Sequence, residues 1–319
     1  MSACVAMIGT VNRDRIITHG GAVREGLGGI LYNVLSLAPY LSAKDLVLPI
    51  ARLGAEDRER AVQLFRPYPW IDPSGLLADP AGTNETVLRY RTPDEREETL
   101  VEKIAPLGWE EIRPAAACDL VLVNLIWGKE ITPALLRRLA GAGRARIVLD
   151  VQSLTLTFRA GPDRGYRNIP EWKEWAAPAH TVKGNEEEIR WLIGEGDSPF
   201  GGDIEEALHR LLDAGPRVAI ATRGTRGFTI AWDGEGARRT ASLPAIPVPP
   251  EECDDTTGCG DTFSSGYLLG MILGEKPLRA ALLGSSLAAL SCRTRGLRAL
   301  ARLGDPAALR AEAYRDFEG

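Results

Sequence analysis

Cysteine and histidine are scarce in this sequence, and neither is arranged for metal binding or for a disulfide framework. Five cysteines and three histidines occur among 319 residues, no two cysteines form a C-x-x-C pair, and no histidine lies close to a cysteine. Structural zinc sites and disulfide-rich folds depend on closely spaced ligands and pairs of this kind. The sequence therefore predicts a reduced protein with neither a zinc site nor a disulfide framework.

Long runs of charge and long apolar runs are also missing. The 38 basic and 43 acidic residues give a net charge of -5 and are spread along the chain, so we expect neither a nucleic-acid nor a membrane surface. No apolar run approaches the roughly 18 residues of a membrane-spanning helix. The first residues carry only a short apolar stretch, 3–8, without a basic leader. We expect a cytoplasmic protein that acts on small molecules.

Short apolar runs alternate with amphipathic segments along the chain. The runs lie at residues 4–8, 46–50, 120–123, 147–151 and 218–221. Buried parallel strands have this composition, and apolar residues at helical spacing between the runs indicate helices. The alternation predicts an open, doubly wound α/β sheet in a single domain that spans residues 1–319.

Two stretches, 15–25 and 84–103, interrupt this alternation. The second has strand-forming residues on both sides of the turn-forming sequence Thr92-Pro93-Asp94. Both stretches predict solvent-facing antiparallel strands. We interpret them as a small β-sheet lid formed by inserts at about 12–27 and 83–104, with an exposed hairpin of no function as the alternative.

The most informative segment is Asp-Thr-Thr-Gly-Cys-Gly-Asp at residues 255–261. Apolar residues at helical spacing follow it, so a glycine-rich turn precedes a helix with Asp261 in its first turn. Unpaired N–H groups at a helix N-terminus favour phosphate, and the absence of a Cβ at Gly258 and Gly260 leaves the backbone open to a ligand. Taken alone, the segment is equally consistent with an ordinary helix start.

Residues 255–263 resemble the C-terminal signature of the PfkB, or ribokinase-like, carbohydrate kinase family, with Cys259 where the family usually has alanine. That family transfers the γ-phosphoryl group of ATP to a hydroxyl. The resemblance implies that Asp261 accepts the hydroxyl proton and that the N–H groups of Gly258, Cys259 and Gly260 hold the phosphate. It also implies a ribokinase-like three-layer α/β/α fold with a mostly parallel, doubly wound sheet and a small β-sheet lid.

Three further segments resemble elements that bind substrate in this family. Gly28 and Gly29, followed by Asn33, are similar to the N-terminal signature, in which the glycines lie against a sugar and the asparagine binds its hydroxyls. Asp14 and Gln152 each follow a predicted strand and match substrate-binding positions. The Asp-Val-Gln sequence that ends at Gln152 is closer to an inositol-kinase-like subgroup, which makes a cyclic polyol a candidate substrate. A tight turn and a solvated aspartate are the alternatives.

Other segments resemble the nucleotide and metal elements. Asn185 and Glu188 match an N-x-x-E element that is associated with Mg²⁺, usually through water, although the same pattern is a helix capping box that needs no ligand. Thr222, Gly224 and Gly227 match a T-x-G-x-x-G turn that lies along the nucleotide phosphates, with a plain strand connection as the alternative.

Weaker similarities complete the predicted cofactor set of ATP, Mg²⁺ and, in many members, K⁺. Ser285 falls where relatives contact the adenine side of the nucleotide. Asp255 and the carbonyl of Thr257 match a monovalent cation site. Relatives often pair through their lids, and the apolar residues Val87 and Leu100 would suit a homodimer of this kind.

The sequence thus predicts an ATP-dependent kinase that acts on a hydroxyl of a sugar or cyclic polyol. A nucleoside or vitamin kinase of the same fold and a non-catalytic sugar-binding relative remain open alternatives. A dinucleotide-dependent oxidoreductase is disfavoured, because no G-x-G-x-x-G sequence follows the first strand. The motifs do not encode which hydroxyl receives the phosphate.

Overall fold

Two β-sheets organise the chain, which the computed structural model describes over residues 2–17, 20–90, 96–157, 165–234, 236–253, 256–294, 296–300 and 305–314. The strands within these ranges are β1 (Cys4–Ile8), β2 (Asn12–Ile17), β3 (Val23–Leu27), β4 (Leu46–Leu53), β5 (Leu76–Ala78), β6 (Asn84–Tyr90), β7 (Arg96–Val101), β8 (Leu120–Asn124), β9 (Arg146–Asp150), β10 (Thr181–Asn185), β11 (Val218–Thr222), β12 (Phe228–Asp233) and β13 (Arg238–Leu243).

The helices within the same ranges are α1 (Ile30–Leu37), α2 (Ala55–Phe65), α3 (Trp109–Ile112), α4 (Pro133–Ala142), α5 (Trp172–Ala176), α6 (Glu186–Leu192), α7 (Ile204–Asp213), α8 (Cys259–Ile272), α9 (Pro277–Cys292), α10 (Leu297–Leu300) and α11 (Pro306–Tyr314). None of these helices is long and apolar enough to cross a membrane.

The large sheet has nine strands in the order β13-β12-β11-β10-β9-β8-β1-β4-β5. The seven strands from β11 to β5 are all parallel to their neighbours, and β12 and β13 extend one edge in antiparallel fashion. Because parallel strands end at the same edge of a sheet, the polar residues that follow them are brought together there. The predicted doubly wound, mostly parallel sheet is confirmed.

Both faces of the large sheet are covered by helices. Along β1, Val5 and Met7 belong to one apolar core, which also contains residues of α1, α8 and α9. Ala6 and Ile8 point to the opposite face and belong to a second core with residues of α4, α6 and α7. Because side chains alternate between two buried faces, the central strands are apolar at every position. Helices on both faces of the sheet give the three-layer α/β/α architecture.

Helix α7 illustrates how local sequence determines an element of this fold. Its Asp203 N-cap accepts a hydrogen bond from the Glu206 N–H at 2.7 Å, which satisfies one of the donors left open at a helix start. The apolar residues of α7 at helical spacing are all buried, namely Ile204, Ala207, Leu208, Leu211 and Leu212. Gly215 and Pro216, which follow the helix, are the expected stop signals.

The small sheet has four strands in the order β3-β2-β6-β7. The predicted strands are present, and the pairs β2-β3 and β6-β7 are antiparallel. The central pair β2-β6 is parallel, which corrects the expectation of an all-antiparallel lid. Strands β2 and β6 follow the parallel strands β1 and β5, and they run in the same direction as each other. The predicted turn Thr92-Pro93-Asp94 lies outside the described residues.

Cys4 and Cys118 form a disulfide, which corrects the expectation of a fully reduced chain. Their Cα atoms are 4.7 Å apart although 114 residues separate them in sequence. Cys4 begins β1, and Cys118 lies two residues before β8, which pairs with β1 in parallel. Strand pairing therefore brings the two thiols together, and no spacing rule could have revealed it. The cysteines at positions 253, 259 and 292 are not in disulfides.

Candidate active site

Polar side chains converge where β8, β9 and β10 end and where α8 begins. Asn124 and Asp150 are the last residues of β8 and β9 and lie opposite each other in the sheet. Asp150 in turn lies opposite Lys183 of β10. Asp261, in the first turn of α8, reaches this same edge, since it bonds to Asn124. Open α/β sheets bind their ligands at this edge.

The glycine-rich turn enters α8 through a left-handed residue. Gly258 has a φ of +80°, and a Cβ placed there would lie 2.5 Å from the ring of Tyr32, so only glycine fits. Within the described residues, the N–H groups of Gly258 and Gly260 donate to no acceptor, whereas Cys259 N–H lies 3.3 Å from the Thr256 carbonyl. Two of the three N–H groups predicted to hold a phosphate are therefore open to one.

Asp261 is buried, with 6% of its surface exposed, and its carboxylate is held from one side. Oδ1 accepts hydrogen bonds from the side-chain amides of Asn124 at 2.8 Å and Gln152 at 3.0 Å. No donor within the described residues bonds to Oδ2. Burial, together with the nearby charge of Asp150, raises the pKa of Asp261 to about 6, although the Asn124 hydrogen bond opposes the shift. The geometry leaves one carboxylate oxygen for a ligand proton.

Asn33 supports the same turn from α1. It is fully buried, its Nδ2 donates to the Asp261 carbonyl at 2.8 Å, and its Oδ1 accepts from Asn124 at 3.0 Å. Both ends of the amide are therefore engaged by protein groups. In this structure Asn33 positions Asp261 and Asn124, and its predicted contact with a sugar stays a prediction.

A buried ring of hydrogen bonds connects β9, β10 and α8. Lys183 Nζ donates to Asp150 Oδ2 at 2.8 Å and to the Gly260 carbonyl at 3.2 Å. Ser264 Oγ donates to the same two acceptors at 2.7 and 3.3 Å. Burial alone would lower the pKa of Lys183, but the charges of Asp150 and Glu188 outweigh it and raise the pKa. A charged lysine therefore fixes the carbonyl of Gly260, which is part of the glycine-rich turn.

Lys183, Asn124 and Ser264 were missed by the sequence reasoning. Lys183 and Asn124 sit in or at the end of a buried apolar strand, where an uncompensated polar side chain is costly. That position is the signal that could have identified them, as it did for the Asp-Val-Gln sequence at 150–152. Ser264 carried no such signal, because serine in a helix is common.

The predicted sugar-binding glycines allow Asp14 to approach α1. A Cβ at Gly28 would lie 1.7 Å from Asp14 Oδ2 and 3.2 Å from the Tyr32 ring. Gly29 has a φ of +66°, and a Cβ there would lie 2.1 Å from the Thr10 carbonyl. The two glycines therefore bring Asp14 of the small sheet close to Tyr32, whose ring also contacts the glycine-rich turn.

The predicted N-x-x-E element forms a complete capping box at the start of α6. Glu188 accepts from the Asn185 N–H and from Asn185 Nδ2, both at 2.7 Å, and Asn185 Oδ1 accepts from the Glu188 N–H at 2.8 Å. Burial raises the pKa of Glu188 to about 7; the charge of Lys183 lowers it and that of Asp150 raises it further. The alternative predicted from the sequence, a structural cap, is thus realised, and a metal role stays a prediction.

The predicted phosphate turn lies beside this element. Thr222 ends β11 directly opposite Asn185 of β10. Gly224 and Gly227 have φ of +55° and +90°, and a Cβ at Gly227 would lie 2.0 Å from the Leu243 carbonyl. Ser285 is buried in α9, at 8% exposure. The strand pairing therefore places two of the predicted nucleotide elements side by side.

The predicted monovalent cation site is described only in part, because Asp255 lies outside the described residues while Thr257 is half-buried within them. No group of three or more His, Cys, Asp or Glu side chains in the described part of the chain is placed to hold a metal ion. A Mg²⁺ ion held mainly through water needs fewer protein ligands than that.

Solved structures of the ribokinase fold are similar to this structure over nearly the whole chain. A pyrophosphate-dependent kinase in the ribokinase family, solved with a pyrophosphate analogue and myo-inositol, superposes with a TM-score of 0.71 at 18% identity, over 93% of this chain and 96% of that one. Residues 161–302 match the family model described as pfkB family carbohydrate kinase. The resemblance that the motifs indicated is therefore confirmed.

Two curated relatives differ in how much of the chain they match. Inositol 3-kinase of Oryza sativa subsp. japonica is 29% identical over 286 residues, which cover 88% of this chain and 66% of that protein. Cytidine kinase of Thermococcus kodakarensis is 32% identical over 103 residues, which cover 32% of this chain and 33% of that protein. This second match spans about a third of the relative's length.

Breaking the buried ion pair between Lys183 and Asp150 should destabilise the protein, and removing both charges should restore most of its stability. Replacing Lys183 by methionine leaves Asp150 charged and unpaired, which should cost about 3 to 5 kcal/mol in the free energy of unfolding. The double variant K183M/D150N removes both charges and should recover most of that loss. Urea unfolding measures both values.

The matched control is Lys129→Met, because Lys129 forms a half-exposed ion pair with Glu102. This substitution should cost no more than about 1 kcal/mol. Equal destabilisation by the two methionine variants would contradict the importance of the buried ring.

Proposed function

We propose that this protein is an ATP-dependent kinase that transfers a phosphoryl group to a hydroxyl of a sugar or cyclic polyol. The observation that carries the proposal is the Asp261 carboxylate, buried at the N-terminus of α8 next to two open backbone N–H groups. Phosphoryl transfer needs a base for the hydroxyl proton and positive or dipolar groups around the phosphate, and it needs no covalent nucleophile. This arrangement supplies both requirements.

In this mechanism, the acceptor hydroxyl donates its proton to Asp261 Oδ2, while Asn124 and Gln152 hold Oδ1. A base works best when its pKa lies near the working pH, and the raised pKa of about 6 moves the carboxylate in that direction. The N–H groups of Gly258 and Gly260 and the dipole of α8 stabilise the charge on the transferring group.

A hydroxyl-rich acceptor is favoured by unpaired oxygen atoms around Asp261. Within the described residues, Asn124 Oδ1 and Gln152 Oε1 are buried and accept no hydrogen bond. Gln152 also has a φ of +29°, a left-handed value that non-glycine residues seldom adopt. Buried acceptors without donors are costly, and a polyol would supply donors to them. The similarity to an inositol 3-kinase over 88% of the chain supports a cyclic polyol.

The donor side is less constrained by the geometry. The T-x-G-x-x-G turn at 222–227 and Ser285 are the residues that would contact ATP by resemblance to the family. The ribokinase-family neighbour that is pyrophosphate-dependent has the same fold. Pyrophosphate is therefore the alternative donor that must be tested beside ATP.

Glu188 and Asn185 would hold Mg²⁺ through water, and Asp255 with Thr257 would hold a monovalent cation. In addition to burial, the charges of Asp150 and Asp261 raise the pKa of Glu188, and the charge of Asp150 raises that of Asp261, whereas Lys183 opposes both shifts. An added cation would offset the repulsion among these carboxylates. When bound, Mg²⁺ neutralises charge on the phosphates.

The small sheet is proposed as a lid over the acceptor, because its Asp14 approaches Gly28 and Tyr32 at the site. Its strands also expose apolar side chains, with Val23 at 51% and Val101 at 43% exposure. Pairing of two chains through this sheet, with Val87 and Leu100 taking part, is part of the same proposal.

A nucleoside kinase is the second candidate function. The 103-residue match to a cytidine kinase, at 32% identity, favours it. Both candidates use Asp261 and the glycine-rich turn in the same way, and they differ only in the acceptor.

A release assay distinguishes these functions. ADP or phosphate release is measured over sugars, inositols and nucleosides, with ATP or pyrophosphate as the donor and with K⁺ present or absent. We expect turnover with ATP and a polyol. Turnover with nucleosides only would favour the second candidate, and no turnover with any pair would refute the proposed activity.

Asp261→Asn should lower kcat at least about 100-fold, because an amide cannot accept the hydroxyl proton. The unfolding transition should be retained, since the amide can still accept the bonds from Asn124 and Gln152. Asp213→Asn, a surface change at the end of α7, is the matched control and should leave kcat unchanged. Unchanged turnover in the Asp261 variant would exclude it as the base.

The activity should fall tenfold per pH unit below about pH 6, because the protonated Asp261 no longer acts as a base. Asn124→Ala removes a hydrogen bond that lowers this pKa, so the acid limb of the kcat profile should move to higher pH. Asn168→Ala, which removes bonds to the carbonyls of Gly196 and Ser198 instead, should not move it. A profile of Asn124→Ala that coincides with the parent profile would contradict this account.

A further inference from the structure

Two thiols lie in contact at the glycine-rich turn. Cys259 is the first residue of α8, Cys292 is the last residue of α9, and their Sγ atoms are 3.0 Å apart. Both side chains are partly exposed. The thiol of Cys253 also contacts that of Cys292, so three cysteines meet at this point. None of the predicted functions uses their thiols.

Little movement separates this pair from a covalent bond. A disulfide has an S–S distance of about 2.03 to 2.05 Å, so the two sulfurs need to approach by about 1 Å. The two helix ends are already held together by the hydroxyls of Thr262 and Ser291, which are 2.9 Å apart. Ser291 Oγ lies 3.4 Å from Cys259 Sγ as well.

The positions of the two thiols give them different roles. Cys259 belongs to the glycine-rich turn that is open to a ligand, so we expect it to react first with an oxidant. Cys292, at the end of α9, already contacts the Cys259 sulfur and is placed to react second.

We propose that hydrogen peroxide oxidises Cys259 and Cys292 to a disulfide and that this bond reversibly blocks the phosphate site. The Cys259 sulfur attacks the peroxide, the O–O bond breaks, and water leaves to give a sulfenic acid. The Cys292 sulfur then attacks the sulfenic sulfur and a second water leaves. In sum, two thiols and one H₂O₂ give one disulfide and two waters, and a dithiol reverses the bond.

The link to activity rests on the proposed function, whereas the disulfide does not. Cys259 lies between Gly258 and Gly260, whose N–H groups are the open donors of the turn. Drawing Cys259 toward α9 therefore shifts both donors. A misplacement of about 1 Å can cost roughly 100-fold in rate. We accordingly expect oxidation to lower kcat by about 10- to 100-fold.

The test treats the full-length protein with H₂O₂ and maps its peptides without reduction. The parent protein should yield a peptide pair joined through Cys259 and Cys292, lose activity and ATP affinity together, and regain both with dithiothreitol. Cys292→Ser should keep its basal activity and resist the loss. Cys253→Ser is the matched control and should remain sensitive.

Each other outcome overturns part of the proposal in a recognisable way. The absence of the joined peptide, or equal inactivation of Cys292→Ser, would refute the thiol pair as the site of oxidation. Formation of the joined peptide with unchanged ATP binding and turnover would refute the control of the phosphate site. The peptide map needs no turnover, so it stays informative even for a protein without kinase activity.

Discussion

The candidate site depends on the buried ion pair between Asp150 and Lys183. Two charges with 0% and 5% of their side chains exposed are stable there only because each satisfies the other and both are tied to α8. Lys183 and Ser264 connect the strand ends to the Gly260 carbonyl. The same contacts therefore join the sheet to the helix and hold the glycine-rich turn in the form that leaves its N–H groups open.

Asp261 is under two opposed influences that set its chemistry. Burial and the charge of Asp150 disfavour its ionised form, while the amides of Asn124 and Gln152 and the charge of Lys183 favour it. Asn124 and Gln152 both donate to Oδ1, and Lys183 acts only through its charge. Oδ2 therefore has no donor among the described residues. A carboxylate poised in this way is a better base than a solvated one, and it costs stability that the surrounding network must supply.

The fold and the position of the glycine-rich turn were predictable from the sequence because both depend on local patterns. Apolar runs indicated the parallel strands, and the residues from 255 to 263 indicated the glycine-rich turn and the helix that begins with Asp261 in its first turn. Long-range pairing was invisible to such patterns. The parallel contact of β2 with β6, the disulfide of Cys4 with Cys118 and the convergence of Asn124 with Lys183 all arise from the order of strands in a sheet. Asn33 shows the converse, since a motif drew attention to it while its bonds to protein groups appear only in three dimensions.

The rigidity that prepares the turn also makes it sensitive to change. Fixed dipoles stabilise a transition state best when they cannot move. The N-terminus of α8 is held on the sheet side by the ring of hydrogen bonds through Lys183 and on the α9 side by the contacts of Thr262 with Ser291 and of Cys259 with Cys292. The ion pair of Lys183 with Asp150 does not form a covalent bond, whereas the thiols of Cys259 and Cys292 can be oxidised to one. Cys259 therefore adds a contact with Cys292 that the proposed oxidation would tighten, and the tightening would act on Gly258 and Gly260, whose N–H groups are proposed to hold the phosphate.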